Sequence, residues 1–145
     1  NNELTDFSFS SHIDGVPIAN RVEPGKRPRS SMSPTIVLKD GLPTLVIGSP
    51  GGSRIIGYVA EAIVAHIDLG MNVQATVSTP HAINRFGTFE LEKGTSLENM
   101  VEPMEALGYK VKLRALNSGL HAISITKDGL AGGADPRREG IALGQ

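Results

Sequence analysis

The 145-residue chain has no cysteine and no tryptophan. Without thiols it can form no disulfide, no zinc–thiolate site and no cysteine nucleophile. Aromatic residues make up only 4%, too few for a base-stacking platform of the kind that grips single-stranded nucleic acid. An excess of charge of one sign is also lacking. The formal net charge is −1, which favours neither a nucleic-acid nor an anionic-membrane partner. No run approaches the roughly 18 apolar residues of a membrane span. His12, His66, His81 and His121 are scattered without metal-ligand spacing, so each is read as structural and no metal or cofactor is expected. The opening Asn1-Asn2-Glu3-Leu4-Thr5-Asp6 has neither the basic start nor the apolar run of a signal peptide. It also lacks an initiating Met, so the chain is expected to begin inside a longer gene product, and nothing in it reports a compartment.

What is present is ordinary globular composition, 39% hydrophobic and 20% charged, in a chain long enough for one domain with a core. Residues 1–34 read as irregular and rich in Pro and Gly, with a basic cluster at Lys26-Arg27-Pro28-Arg29. So long a structureless stretch suggests a functional loop.

From Thr35 the pattern sharpens. Thr35–Lys39 is a predicted strand, Asp40-Gly41 a hairpin turn and Leu42–Gly48 the return strand. The return strand is nearly all apolar, which predicts a central strand covered on both faces. Ser49-Pro50-Gly51-Gly52 breaks it. A helix over 53–69 follows, with Ile55, Ile56, Val59, Ile63 and Ile67 at helical spacing and Gly70 as its stop. A short helix over 72–77, a strand over 89–92 and a helix over 97–107 come next. The last is expected to be capped by Ser96 and kinked near Asn99 by Pro103. Lys110–Leu113, His121–Ile125 and a return near Leu130-Ala131 read as a meander. Ala134-Asp135-Pro136-Arg137-Arg138 reads as a polar surface strap. One helical block between strand groups favours an α+β fold with antiparallel sheet over a doubly wound parallel one.

Three places can carry chemistry. Gly51 and Gly52 leave backbone N–H groups bare at a helix start. They serve either a tight strand-to-helix joint or a site for an oxyanion. As a phosphate loop they fit poorly, because the Walker and dinucleotide spacings are absent. Ser30-Ser31-Met32-Ser33 is either a solvated turn before Pro34 or a pair of hydroxyls donating to a carboxylate, with Arg27 or Arg29 near by. Glu3 and Asp6 are either a solvated acidic tail or a carboxylate pair that grips an ammonium group.

Several ordered blocks resemble the small subunit of gamma-glutamyltranspeptidases, also called glutathione hydrolases. They are Asn1-Asn2-Glu3 with Asp6-Phe7-Ser8; Pro24-Gly25-Lys26-Arg27-Pro28 with Ser30-Ser31-Met32-Ser33-Pro34-Thr35-Ile36-Val37; Gly48-Ser49-Pro50-Gly51-Gly52-Ser53-Arg54-Ile55-Ile56; Glu92-Lys93-Gly94; and Ala134-Asp135-Pro136-Arg137. Together they span nearly the whole chain. The resemblance implies an N-terminal-nucleophile hydrolase fold, an αββα sandwich that is only partly present here. Residues 1–34 would be a substrate-binding loop segment and 35–145 the C-terminal α/β part of the small subunit.

The resemblance further implies a precursor that cuts itself, exposing an N-terminal Thr that attacks a gamma-glutamyl amide. Gly51 and Gly52 look like the oxyanion-hole donors. Ser30 and Ser31 look like the pair on the glutamyl α-carboxylate, and Glu3 and Asp6 like the acceptors for its α-amine. Glu3 stands where some members carry Gln. Asn1 has no hydroxyl and cannot be the nucleophile, which is expected upstream. The chain alone is therefore expected to be inactive. Its implied partners are the large subunit of the same precursor and a gamma-glutamyl small molecule, and a second copy could cover exposed sheet edges. The family resemblance is compatible with a periplasmic or extracellular place. The rival readings are a non-catalytic scaffold of the same fold and a phosphate-binding module on Gly51-Gly52.

Overall fold

A computed structural model of the chain describes residues 7–144. The chain divides into two compact units, 1–31 and 32–145. The Glu3 and Asp6 assignments lie outside the described residues.

The first unit holds a small ribbon, β1 (His12–Ile13) paired antiparallel with β2 (Val16–Pro17). The stretch expected to be irregular thus contains a hairpin. Asp14 and Gly15 turn it with positive φ of 49° and 77°, the combination a tight two-residue turn demands. The Ser8 N–H donates to the Asn20 carbonyl at 2.9 Å and the Ile18 N–H to the Ser11 carbonyl at 2.8 Å. Lys26 Nζ donates to the Ala19 carbonyl, and the Arg29 N–H donates to Asn20 Oδ1 at 2.9 Å. These bonds order the described part of the segment.

In the second unit, β3 (Thr35–Lys39) and β4 (Leu42–Gly48) form the expected hairpin over Asp40 and Gly41. They join β8 (His121–Thr126) and β9 (Gly129–Ala134) in an antiparallel sheet of order β3-β4-β8-β9. β4 is internal, as its composition predicts, but it is not covered on both faces. Leu45 and Ile47 point into the core, while Ile36, Val46, Ile123 and Leu130 leave the opposite face apolar and open.

α1 (Ile55–Ile67) and α2 (Val73–Ser78) pack on the buried face. α1 buries Ile55, Tyr58, Val59, Ala62 and Ala65, so the stripe is turned from the isoleucines read in the sequence. Ile56 and Ile67 are exposed. The small side chain of Ala62 lets the helix lie close to the cluster of Leu45, Ile47, Val73 and Val77, which a bulkier one would hold off. Asn72 caps α2 by accepting from the Ala75 N–H at 2.8 Å.

A second sheet, order β5-β6-β7, comprises β5 (Ala82–Asn84), β6 (Thr88–Glu92) and β7 (Lys110–Arg114). β5 was not evident in the sequence. β7 is not part of the meander: it runs parallel to β6, with Leu91 opposite Leu113. A crossover through a 3₁₀ segment (Ser96–Met100) and α3 (Val101–Ala106) makes that parallel pairing feasible. Thr95, not Ser96, caps the crossover, accepting from the Leu97 N–H at 3.3 Å. Pro103 falls in the first turn of α3, where its missing N–H costs nothing. The break therefore lies at the junction upstream of it and not as a kink within one long helix.

The tail after β9 also departs from expectation. Asp135 is 1% exposed, and Arg137 reaches Glu92 and the carbonyls of Val77 and Thr79. It is a buried clasp, not a surface strap.

Candidate functional site

The strand-to-helix corner begins where β4 ends. Ser49 Oγ donates to the Pro50 carbonyl at 2.6 Å and accepts from the Gly119 N–H at 3.4 Å. Gly51 has φ 135° and ψ 15°, and Gly52 has φ 59°. Both are backbone states that glycine adopts without strain. A Cβ on Gly51 would also come within 3.0 Å of the Tyr58 ring. A 3₁₀ turn over Gly52–Arg54 leads directly into α1, and the Arg54 N–H closes back on the Gly51 carbonyl at 3.4 Å. The Gly51 and Gly52 N–H groups have no acceptor among the described residues. They sit at the positive end of a 13-residue helix.

The corner is pinned to the second sheet by charge. Arg54 clasps Glu90 with Nε to Oε2 at 2.7 Å and Nη2 to Oε1 at 2.9 Å. Arg114 Nη1 reaches the same Oε1 at 3.1 Å, and Arg85 Nη2 lies 3.6 Å from it. Arg85 Nη1 donates to Ser53 Oγ at 2.6 Å. The Arg54 hydrogen bonds hold the Glu90 carboxyl below the usual carboxylate range against the opposing effect of burial. Tyr58, 1% exposed, is pushed up by burial, which the Arg54 charge partly offsets.

Behind the corner runs a buried polar chain. His81 Nδ1 faces Glu61 Oε2 at 2.9 Å, and His81 Nε2 faces Ser118 Oγ at 2.7 Å. The Ser118 hydroxyl donates to Asp135 Oδ2, which also accepts from the Leu120 N–H at 3.1 Å. Burial alone would raise the Asp135 pKa. Hydrogen bonds from Ser118, the Arg137 and Leu120 N–H groups and the Arg137 guanidinium outweigh it and hold the pKa low. This chain was not found in the sequence. Its bonded members lie 17 to 37 positions apart, and of them only Asp135 belongs to a contiguous block that stands out in the sequence.

Of the residues expected to act, Gly51 and Gly52 lie together at the corner in the second unit. Ser30 is exposed and Ser31 half-buried at the end of the first unit, and both are engaged in interactions. Among the described residues no group of three or more His, Asp or Glu gathers as a metal cluster.

The gamma-glutamyltranspeptidase family model matches residues 1–145. The chain belongs to the gamma-glutamyltranspeptidase family. It is 43% identical, over 94% of its length, to the glutathione hydrolase proenzyme of Escherichia coli (strain K12). It is 39% identical, over 99%, to that of Bacillus subtilis (strain 168). It spans 25% and 24% of those two relatives. Among solved structures, a gamma-glutamyltranspeptidase from Pseudomonas nitroreducens complexed with L-DON superposes with a TM-score of 0.83 at 30% identity. That match covers 100% of this chain and 80% of the other. The fold is thus the α+β fold of the N-terminal-nucleophile hydrolases in this family. As a member that matches a quarter of proenzyme-length relatives, the chain corresponds to part of a larger precursor.

Proposed function

We propose that the chain supplies the oxyanion and glutamyl-binding portion of a gamma-glutamyl acyltransferase or hydrolase, which cleaves gamma-glutamyl amides such as glutathione. The observation that carries this reading is the Gly51–Gly52 corner, with two successive N–H groups that have no acceptor among the described residues, at the start of α1. The names of the relatives, glutathione hydrolase proenzymes, support the substrate.

When a nucleophile adds to an amide carbonyl, the oxygen becomes an oxyanion. Two preorganised N–H donors hold that charge better than they hold the neutral carbonyl, so they favour the transition state over the ground state. As the oxyanion collapses, the C–N bond breaks, the amine leaves with a proton, and the glutamyl group remains as an ester. Water or an amino group then takes the acyl. The nucleophile is an N-terminal Thr on chain outside these residues, its α-amine accepting the hydroxyl proton. Ser30 and Ser31 donate to the glutamyl α-carboxylate, and Glu3 and Asp6 accept from its α-ammonium. The partner this reading implies is the large subunit of the same precursor.

The test uses the full-length protein and gamma-glutamyl-p-nitroanilide. Gly52→Pro, which removes one of the two N–H donors outright, is expected to lower kcat by about 10²–10³. Unchanged kcat would remove the oxyanion role from the corner. The isolated 145-residue chain is expected to show no turnover, and turnover above a blank would refute the assignment of the nucleophile to other chain.

A further inference from the structure

The buried chain behind the corner is built from distant pieces. Glu61 comes from α1, His81 from the α2–β5 link, Ser118 from the β7–β8 link, and Asp135 from the end of β9. Ser118 is 0% exposed, Asp135 1% and His81 2%. The Ser118 hydroxyl donates to Asp135 Oδ2, whose pKa its hydrogen bonds hold low. His81 Nε2 lies 2.7 Å from the Ser118 oxygen, and Nδ1 lies 2.9 Å from a carboxylate oxygen of Glu61. The Ala82 N–H holds the other Glu61 oxygen at 3.1 Å, and the His81 N–H holds Glu92 Oε2 at 2.9 Å. Both ring nitrogens of His81 and the Ser118 hydroxyl are engaged, in a place where an unmade bond is costly.

This chain touches the corner on two sides. The His81 ring lies against Tyr58, with centroids 4.2 Å apart, and the Tyr58 ring edge lies beneath Gly51. On the other side Ser118 and Leu120, both tied to Asp135 Oδ2, fix Gly119 between them. The Gly119 N–H donates to Ser49 Oγ, and its Cα sits so close to Pro50 that a Cβ would fall 2.7 Å from Pro50 Cγ. One rigid cluster therefore presses on Pro50 and supports Gly51.

We infer that His81, Ser118 and Asp135 are positioning residues that set the direction of the Gly51 and Gly52 N–H groups. The inference rests on the oxyanion role proposed for that corner. The three residues touch no reacting atom and act through Tyr58 and Gly119. Misplacing catalytic donors by about 1 Å can cost on the order of a hundredfold in rate, while substrate binding through other groups is untouched.

The experiment compares Ser118→Ala, Gly119→Ala, the donor-deleting Gly52→Pro and the Ser118→Ala/Gly52→Pro pair in the full-length protein. Turnover of gamma-glutamyl-p-nitroanilide is measured per processed molecule. Ser118→Ala should lower kcat about 10- to 100-fold with KM within about twofold, as expected for a loss confined to the transition state. In the double variant the two losses should fail to multiply, because both act on the same donors. Gly119→Ala pushes Pro50, and with it the Arg138 side chain that donates to the Ser118 carbonyl, while keeping the Ser118 and Asp135 side chains; it should give the same split, so it decides the matter if Ser118→Ala does not fold. If Ser118→Ala and Gly119→Ala keep kcat while Gly52→Pro loses it, the positioning role is refuted and the oxyanion role stands. Losses that multiply also refute the positioning role. If Gly52→Pro itself keeps kcat, the oxyanion role fails and takes this inference with it.

Discussion

Arg137 clasps Glu92 with two parallel hydrogen bonds, Nε to Oε1 at 2.6 Å and Nη2 to Oε2 at 2.8 Å. The same guanidinium bonds Asp135 Oδ1 at 3.0 Å, the Thr79 carbonyl at 2.9 Å and the Val77 carbonyl at 3.3 Å. One side chain beyond the last strand thus joins β6 of the second sheet to the end of α2. Arg137→Ala leaves two carboxylates buried without their counter-charge. In the full-length protein it should cost about 3–5 kcal/mol, read as a lower urea midpoint. Arg137→Lys should restore only part, since an ammonium cannot make the planar fork. An unchanged midpoint for the alanine variant would show that the clasp contributes nothing.

Acid should loosen the second unit through Asp135 and Glu90. Both have folded pKa values below the usual carboxylate range, Glu90 chiefly through Arg54, and Asp135 through hydrogen bonds that outweigh its burial. The sign follows from linkage. A depressed folded pKa gives stability that is fully present above the unfolded value, near 4. That stability is lost as pH falls through the folded value. Unfolding midpoints between pH 5 and 2 should therefore fall more steeply for the parent than for Asp135→Asn. Equal slopes would contradict the hydrogen-bonded ionised form.

Tyr58 carries a buried hydroxyl that has no hydrogen-bond partner among the described residues. Tyr58→Phe keeps the ring against Gly51 and His81 and removes the unmet donor. Thermal unfolding should shift upward, by up to about 1 kcal/mol in stability. A fall of that size would mean the hydroxyl is satisfied by chain outside these residues.

Ser30 and Ser31 bear on substrate affinity. Hydrogen bonds to a charged group contribute about 1.5–3 kcal/mol, so the Ser30→Ala/Ser31→Ala pair in the full-length protein should raise KM for gamma-glutamyl-p-nitroanilide roughly ten- to a hundredfold. A carboxylate held equally in ground and transition states leaves kcat nearly unchanged. Steady-state kinetics on the purified double variant give the answer, and an unaltered KM would place the carboxylate elsewhere.

Much of this protein is settled by its neighbours along the chain. The β3–β4 hairpin follows from Asp40-Gly41 between two apolar runs. The start of α1 follows from Gly51-Gly52 ahead of a helical stripe, and its end from Gly70 with φ 68°. Those features depend on φ/ψ preference and on the period of burial, which reach only a few residues. The family is legible for the same reason, since its blocks are contiguous.

Tertiary structure decided what depends on distant partners. Nothing near Lys110–Arg114 says that this strand joins β6 in parallel instead of the β8–β9 meander; the crossover through α3 does. Asp135-Pro136-Arg137 reads as polar surface until Glu92, 45 positions from Arg137, meets it in the interior. His81 is an isolated histidine until the fold brings Glu61, 20 positions away, and Ser118, 37 away, to its two nitrogens. Local sequence fixes backbone conformation because torsional and turn preferences are short-ranged. The burial and pairing of charged groups depend on what packs against them, and packing is specified by the whole chain at once.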